Sequence, residues 1–372
     1  MRNYLHFITA LAAVFLFGSC REEVTPPVEI KVNRKVYVLG NEAGNNVIHS
    51  FNWTENGDLS ASKTFSTGGA GTGTPLHTHG SLVTTPNSKY LLAVNAGSSS
   101  ISVFSISGDD LLLTDNQAVS GSNPVSITCG NNLVYVLHSG GNGGLTGFGL
   151  DANGKLSVIN GAQASFGNAG LNPVQVSFTA DYKGLIVTNR DSSSISYFSL
   201  NSDGTISGSS FFSTGTAMPC GVSLTANGSF LVAQQRADTL GLVHFSIDTG
   251  FISEVGRSFY PQPGITSSVP AIASTPNGKF YYLLNDFNSF ISLYTVNPAS
   301  GQPFLFKQVA AITPPMPLGI ACSKDSRYLF VLSEAYRNVS GYTIDPNNGF
   351  LDSKRPIGSL PASATGIAVY VD

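Results

Sequence analysis

Two histidines one residue apart, His77 and His79 in the segment TPLHTHG (Thr74 to Gly80), are the residues of this chain best suited to proton transfer. Imidazole changes charge near pH ~6.5, so at neutral pH it can take a proton from an attacking water. Residues two apart in extended chain share a face, which would let both rings serve one site. His138, Arg190, Arg236, Asp286 and Glu334 each end an apolar run or open the polar loop that follows it. A guanidinium can hold a carboxylate or stabilise a developing oxyanion. A base together with such a cation is what the attack of water on a carbonyl group requires. No nucleophilic-serine elbow is evident, so a covalent route is not indicated. A His-x-His pair can also begin a zinc site, but catalytic zinc takes three protein ligands, and His138, Asp191 or Glu334 would have to close in space. No metal or other cofactor is expected. The glycine-rich STGGAGTGTP lies between strands with no helix after it, which rules out a phosphate loop.

These residues are positioned by an internal repeat. Apolar runs begin at Lys35, Lys89, Asn132, Lys183, Ser229, Lys279 and Arg327, spaced 43 to 54 residues apart. Each is followed by a short polar loop and a second run ending in an aromatic: Phe51, Phe104, Phe148, Phe198, Phe245, Tyr294 or Tyr342. A turn such as TENG, DANG or NSDG comes next, and Asn-Gly or Asp-Gly supplies the positive φ of tight hairpins. A further apolar stretch precedes most main runs, as in PVSITCG and PLGIACS. Four short antiparallel strands per unit, here A to D, predict an all-β chain folded as a seven-bladed β-propeller, one domain over residues 35–372. The first unit lacks a strand A and the chain ends with a spare one, so Gly366 to Val371 should complete the blade begun by residues 35–66. Closing the ring in this way hides an edge strand.

In such a meander the start of strand A and the end of strand B lie at one face, around the channel mouth. His77 and His79 approach a strand A. His138, Arg190, Arg236, Asp286 and Glu334 end a strand B or open its loop, and Tyr260 and Gln262 reach the same face. Ligand sites commonly occupy such mouths, so a small-molecule ligand is expected there. The recurring Asn41, Asn95, Asn189 and Asn285 read as turn residues that bond locally to backbone.

TPNSKYLLAVNAGSSSISVFSI and TPNGKFYYLLNDFNSFISLYTV resemble the repeating unit of the seven-bladed β-propeller lactonases, the family of 6-phosphogluconolactonase-like enzymes and carboxymuconate cyclases. The resemblance covers the whole domain. LHTHGS shares its His-x-His with that family's Pro-His-Ala-His-Ser segment. The resemblance implies a lactone hydrolase or cyclase-like enzyme acting on a lactone or related carboxylated molecule. In that scheme His77, His79 and His138 are the catalytic candidates and Arg190, Arg236, Asp286 and Glu334 bind substrate. The rival expectation is a non-enzymatic envelope propeller that binds a small ligand, glycan or protein.

The chain carries 19 Lys and Arg against 22 Asp and Glu, a formal charge of −3, with no basic stripe, so nucleic acid is not an expected partner. MRNYLHFITALAAVFLFGSC has an early arginine and an apolar core from Leu5 to Phe17, too short for an ordinary membrane span. Gly18 and Ser19 before Cys20 resemble a bacterial lipobox, in which the cysteine is acylated. Residues 1–20 are therefore read as a lipoprotein-type signal peptide and residues 21–34 as a tether. The expected product is a monomer anchored at the cell envelope by lipid on Cys20. Cys129, Cys220 and Cys322, odd in number and widely spaced, imply no disulfide framework, and buried thiols are expected.

Overall fold

The computed structural model describes residues 33–167, 171–265 and 268–372. The predicted leader, Cys20 and most of the tether lie outside these residues. Each main apolar run forms a strand B buried on both sides, as in Tyr90–Asn95, Gly184–Asn189 and Tyr328–Ser333. A strand packed between two neighbouring blades has no solvent face, which is why these runs are continuously apolar. The outermost strands, such as Leu156–Ser165 and Phe251–Pro261, carry many exposed positions, which alternate with covered ones along Phe251–Pro261. The predicted hairpin glycines Gly57, Gly154, Gly204 and Gly349 all have positive φ.

The strands form seven four-stranded antiparallel sheets, and the chain is an all-β, seven-bladed propeller. Blade 1 is completed by the C-terminal strand Thr365–Val371, which pairs with Arg34–Leu39 through partners such as Val36 and Val369. The innermost strands of blades 1 to 7 are Thr365–Val371, Leu82–Thr84, Pro124–Gly130, Pro173–Phe178, Met218–Leu224, Ala271–Ser274 and Pro317–Cys322. Each touches the next, and the last touches the first, so the ring is closed.

The strand-C aromatics point between blades and are all buried. A second device crosses the same gaps. Strand-B tyrosines donate from their hydroxyls to the C–D turn of the following blade: Tyr90 to Ala152 (2.7 Å), Tyr282 to Gly349 (2.9 Å), and likewise Tyr135 to Gly204 and Tyr328 to Glu55. The last of these joins blade 7 to blade 1, where Trp53 also packs on Tyr328 with ring centroids 4.4 Å apart. Val36, Val38, Phe51, Phe330, Leu332 and Val369 fill that junction. Burial, rather than any disulfide, closes this propeller, and Cys129, Cys220 and Cys322 are free thiols. Burial raises the pKa of all three.

Candidate active site

A cavity of about 610 Å³ opens at the channel mouth, lined by His77, Asn172, Arg190, Ser268, Asp286 and Glu334 and rimmed by apolar groups including Leu76, Phe287 and Met316. Blades 4, 6 and 7 supply all of these except Leu76 and His77, which come from the linker between blades 1 and 2.

That linker does not skirt the channel. The Thr78 hydroxyl donates to the Val125 carbonyl at 3.0 Å, and the Gly80 carbonyl accepts from the Ile127 amide at 2.7 Å, both on strand A of blade 3. The His79 amide donates to the Val174 carbonyl of blade 4 at 3.2 Å. The carbonyls of Pro270 and Val269, entering blade 6, approach the His79 ring, and His77 reaches blade 7. The segment thus spans the mouth from blade to blade. Gly80 permits this course: its φ is +80°, and a Cβ there would lie 2.9 Å from Ser126 Oγ.

The two histidines do not share a face, contrary to the extended-chain expectation. His77 has φ 50°, a left-handed turn that breaks the alternation. Its side chain remains 51% exposed at the cavity. The half-buried His79 stays out of the cavity lining, its Nε2 buried and without a hydrogen-bond partner. Burial pushes its pKa down to about 4, against the nearby carbonyls, so it is neutral at neutral pH.

Glu334 follows strand B of blade 7 and places Oε2 3.9 Å from His77 Nε2. This oxygen is buried and has no hydrogen-bond partner. Arg190 follows strand B of blade 4. Its Nε donates to the Ser268 carbonyl at 3.2 Å and its Nη1 to Asp191 Oδ1 at 3.1 Å. Asn172 Nδ2 holds the other Asp191 oxygen at 3.2 Å. Asp286 accepts from the Ser268 hydroxyl and from the Val269 amide, the latter at 2.8 Å. Burial raises its pKa, while these hydrogen bonds and His77 act in the opposite direction.

His138 and Arg236 do not line this cavity. The His138 ring fills a slot that glycines leave open: a Cβ on Gly121 would lie 2.1 Å from it, and one on Gly144 2.7 Å. Both ring nitrogens are buried without partners, and burial lowers the pKa. Arg236 is exposed at the end of strand B in blade 5. Tyr260 and Gln262 are buried as well. Both accept from Asn285 Nδ2, at 3.4 Å and 2.7 Å, next to Asp286 in the chain. Asn95 and Asn189 donate to serine hydroxyls of strand C, so their bonds run to side chains and not to the backbone expected from sequence. Among the described residues no group of three or more His, Cys, Asp or Glu is placed to hold a metal ion. Sequence reasoning passed over Asn172, Ser268, Phe287 and Met316. Each lies within a few residues of a strand-A start or strand-B end, so the repeat register was the signal that could have found them.

The ring of seven blades with a charged cavity at its mouth defines the class. The family model described as "Lactonase, 7-bladed beta-propeller" matches residues 29–161, 160–267 and 262–361, and the chain belongs to this family. Among solved structures, it is similar to a periplasmic gluconolactonase of Pseudomonas aeruginosa at 13% identity and a TM-score of 0.72, covering 91% of this chain and 99% of the other. It is similar also to a candidate 6-phosphogluconolactonase of Bacteroides fragilis, at 16% identity and a TM-score of 0.67, covering 91% and 98%. A candidate 6-phosphogluconolactonase of Bacteroides uniformis gives 16% identity and a TM-score of 0.70, covering 89% and 98%. At these identities the likeness is one of fold. No curated protein matches the chain.

Proposed function

We propose that the protein is a lactonase-type hydrolase that opens a small lactone at the channel mouth. The observation that carries this reading is the meeting of His77, Glu334, Arg190 and Asp286, from three blades and one linker, in a single cavity. Family membership supports the same class of reaction. With Nε2–H directed toward Glu334, the His77 Nδ1 carries the lone pair and takes a proton from water as it adds to the lactone carbonyl. Arg190 supplies positive charge where the oxyanion develops. The ring C–O bond then breaks, the proton returns to the departing alkoxide, and the product is a hydroxy acid. Asp286 positions the Ser268–Val269 backbone beside Arg190, and His79 anchors the linker that presents His77. His138 and Arg236 take no part in this scheme. Acylation of Cys20 and attachment at the cell envelope belong to the same proposal.

The test is acid release from a panel of sugar and aliphatic lactones by the purified full chain. Turnover abolished by mutation of the cavity supports hydrolysis. Saturable binding of the same lactones without turnover overturns it in favour of a binding propeller.

A further inference from the structure

The charges around the cavity select among lactones. Among the described lining residues the one guanidinium, that of Arg190, already donates to Asp191, and Asp286 and Glu334 face the same space. Asp286 and Glu334 thus line the cavity, Asp191 pairs with its guanidinium, and no lysine lines it among the described residues. A phosphate ester carries roughly −1.5 to −2 charges at pH 7 and needs several Arg, Lys or free backbone N–H donors. The Val269 amide cannot serve, because Asp286 accepts it. The buried Glu334 Oε2, by contrast, has no donor within hydrogen-bond distance, His77 Nε2 standing 3.9 Å away. A buried acceptor left unpaired is unfavourable, and a ligand hydroxyl placed there would satisfy it. Leu76, Phe287 and Met316 offer apolar surface for the C–H face of a ring, and the cavity volume of about 610 Å³ suits a single sugar-sized molecule.

We propose that the substrate is an uncharged, polyhydroxylated lactone, with Glu334 accepting one of its hydroxyls, and that the site rejects the phosphorylated form of the same lactone. This rests on the hydrolase reading above and narrows it, since of the lactone or related carboxylated molecule expected from sequence the carboxylated one would meet the same repulsion.

The experiment compares glucono-δ-lactone with its phosphate ester on the full chain, with the two non-hydrolysable lactams as binding probes. The expected result is a kcat/KM at least tenfold higher for the neutral lactone, insensitive to salt, while that of the ester rises with ionic strength as repulsion is screened. In Glu334→Gln the ratio of the two kcat/KM values should move toward the ester by about three- to tenfold, the effect of one unit charge at close range. Taking the ratio within one variant cancels any general loss of catalysis. An ester turned over equally well or better overturns the selectivity while leaving lactone hydrolysis standing. If neither lactone is opened, hydrolysis fails for this substrate, and the lactams still decide selectivity. Tighter binding of the neutral lactam supports it, and equal or reversed binding overturns it.

Discussion

His77 Nε2 and Glu334 Oε2 stand 3.9 Å apart, although one belongs to the linker after the first blade and the other to the last blade. Their approach depends on a linker that crosses the channel instead of following its rim. The linker is pinned by Thr78 to blade 3 and by the His79 amide to blade 4. The site is thus a property of the closed ring, not of any one blade.

Gly80 should be the residue on which the linker's course depends most. In Gly80→Ala the new methyl meets Ser126 at 2.9 Å on a backbone at φ +80°. Strain of this kind costs about 1–3 kcal/mol. We expect a lower melting temperature and, because His77 is displaced, a fall in turnover larger than the loss of folded protein explains. Thermal melts and single-point kinetics on the same preparation separate the two effects.

The neutral His79 should make stability depend on pH. Its folded-state pKa of about 4 lies below the ordinary 6.5, so the unfolded chain binds the proton first as pH falls. This contribution is full above about pH 6.5 and declines between about 6.5 and 4. It amounts to on the order of 3 kcal/mol at the conversion of 1.36 kcal/mol per pKa unit. His138, whose pKa burial also lowers, acts with the same sign. Denaturant melts across this range should show a steep acid-side loss in the parent chain and a shallower one in His79→Gln.

The propeller was legible because its signals are periodic. Strand B is buried on both sides in every blade, so it repeats as an apolar run, and the spare C-terminal strand followed from counting units. His77, Arg190, Asp286 and Glu334 could be placed together because chain direction alone puts strand-B ends and strand-A starts at one face. Orientation within that face was not legible. His138 occupies a slot that exists only because Gly121 and Gly144 lack side chains, and those glycines stand far from it in the first case and in another strand in the second. The turn at His77 is held by contacts to blades distant in sequence, so no local pattern announces that His79 stays out of the cavity lining.

Ring closure should dominate stability. Deleting Gly366 to Asp372 removes the strand paired with Arg34–Leu39 and the buried Ile367, Val369 and Tyr370. We expect the cooperative transition to be lost. Tyr328→Phe removes only the hydroxyl that donates to Glu55. It should cost about 0.5–1.5 kcal/mol with the fold intact. Equal effects of the two changes would argue against closure by the terminal strand.

Membrane attachment, if it is by acylated Cys20, should be lost in Cys20→Ala without loss of fold. A single acyl chain binds only marginally, so the full lipid modification carries the anchoring. Fractionation after a salt wash checks this. A variant that still sediments with membranes is held by something else.

The most direct measurement is the turnover of glucono-δ-lactone by the parent chain and by His77→Ala at neutral pH, with melting curves for both. His77 is half exposed on a linker, so its truncation should leave the melt unchanged. Removal of a general base should lower kcat by about 10²–10⁴. An equally stable His77→Ala protein that retains the parent's kcat would contradict hydrolysis at this cavity.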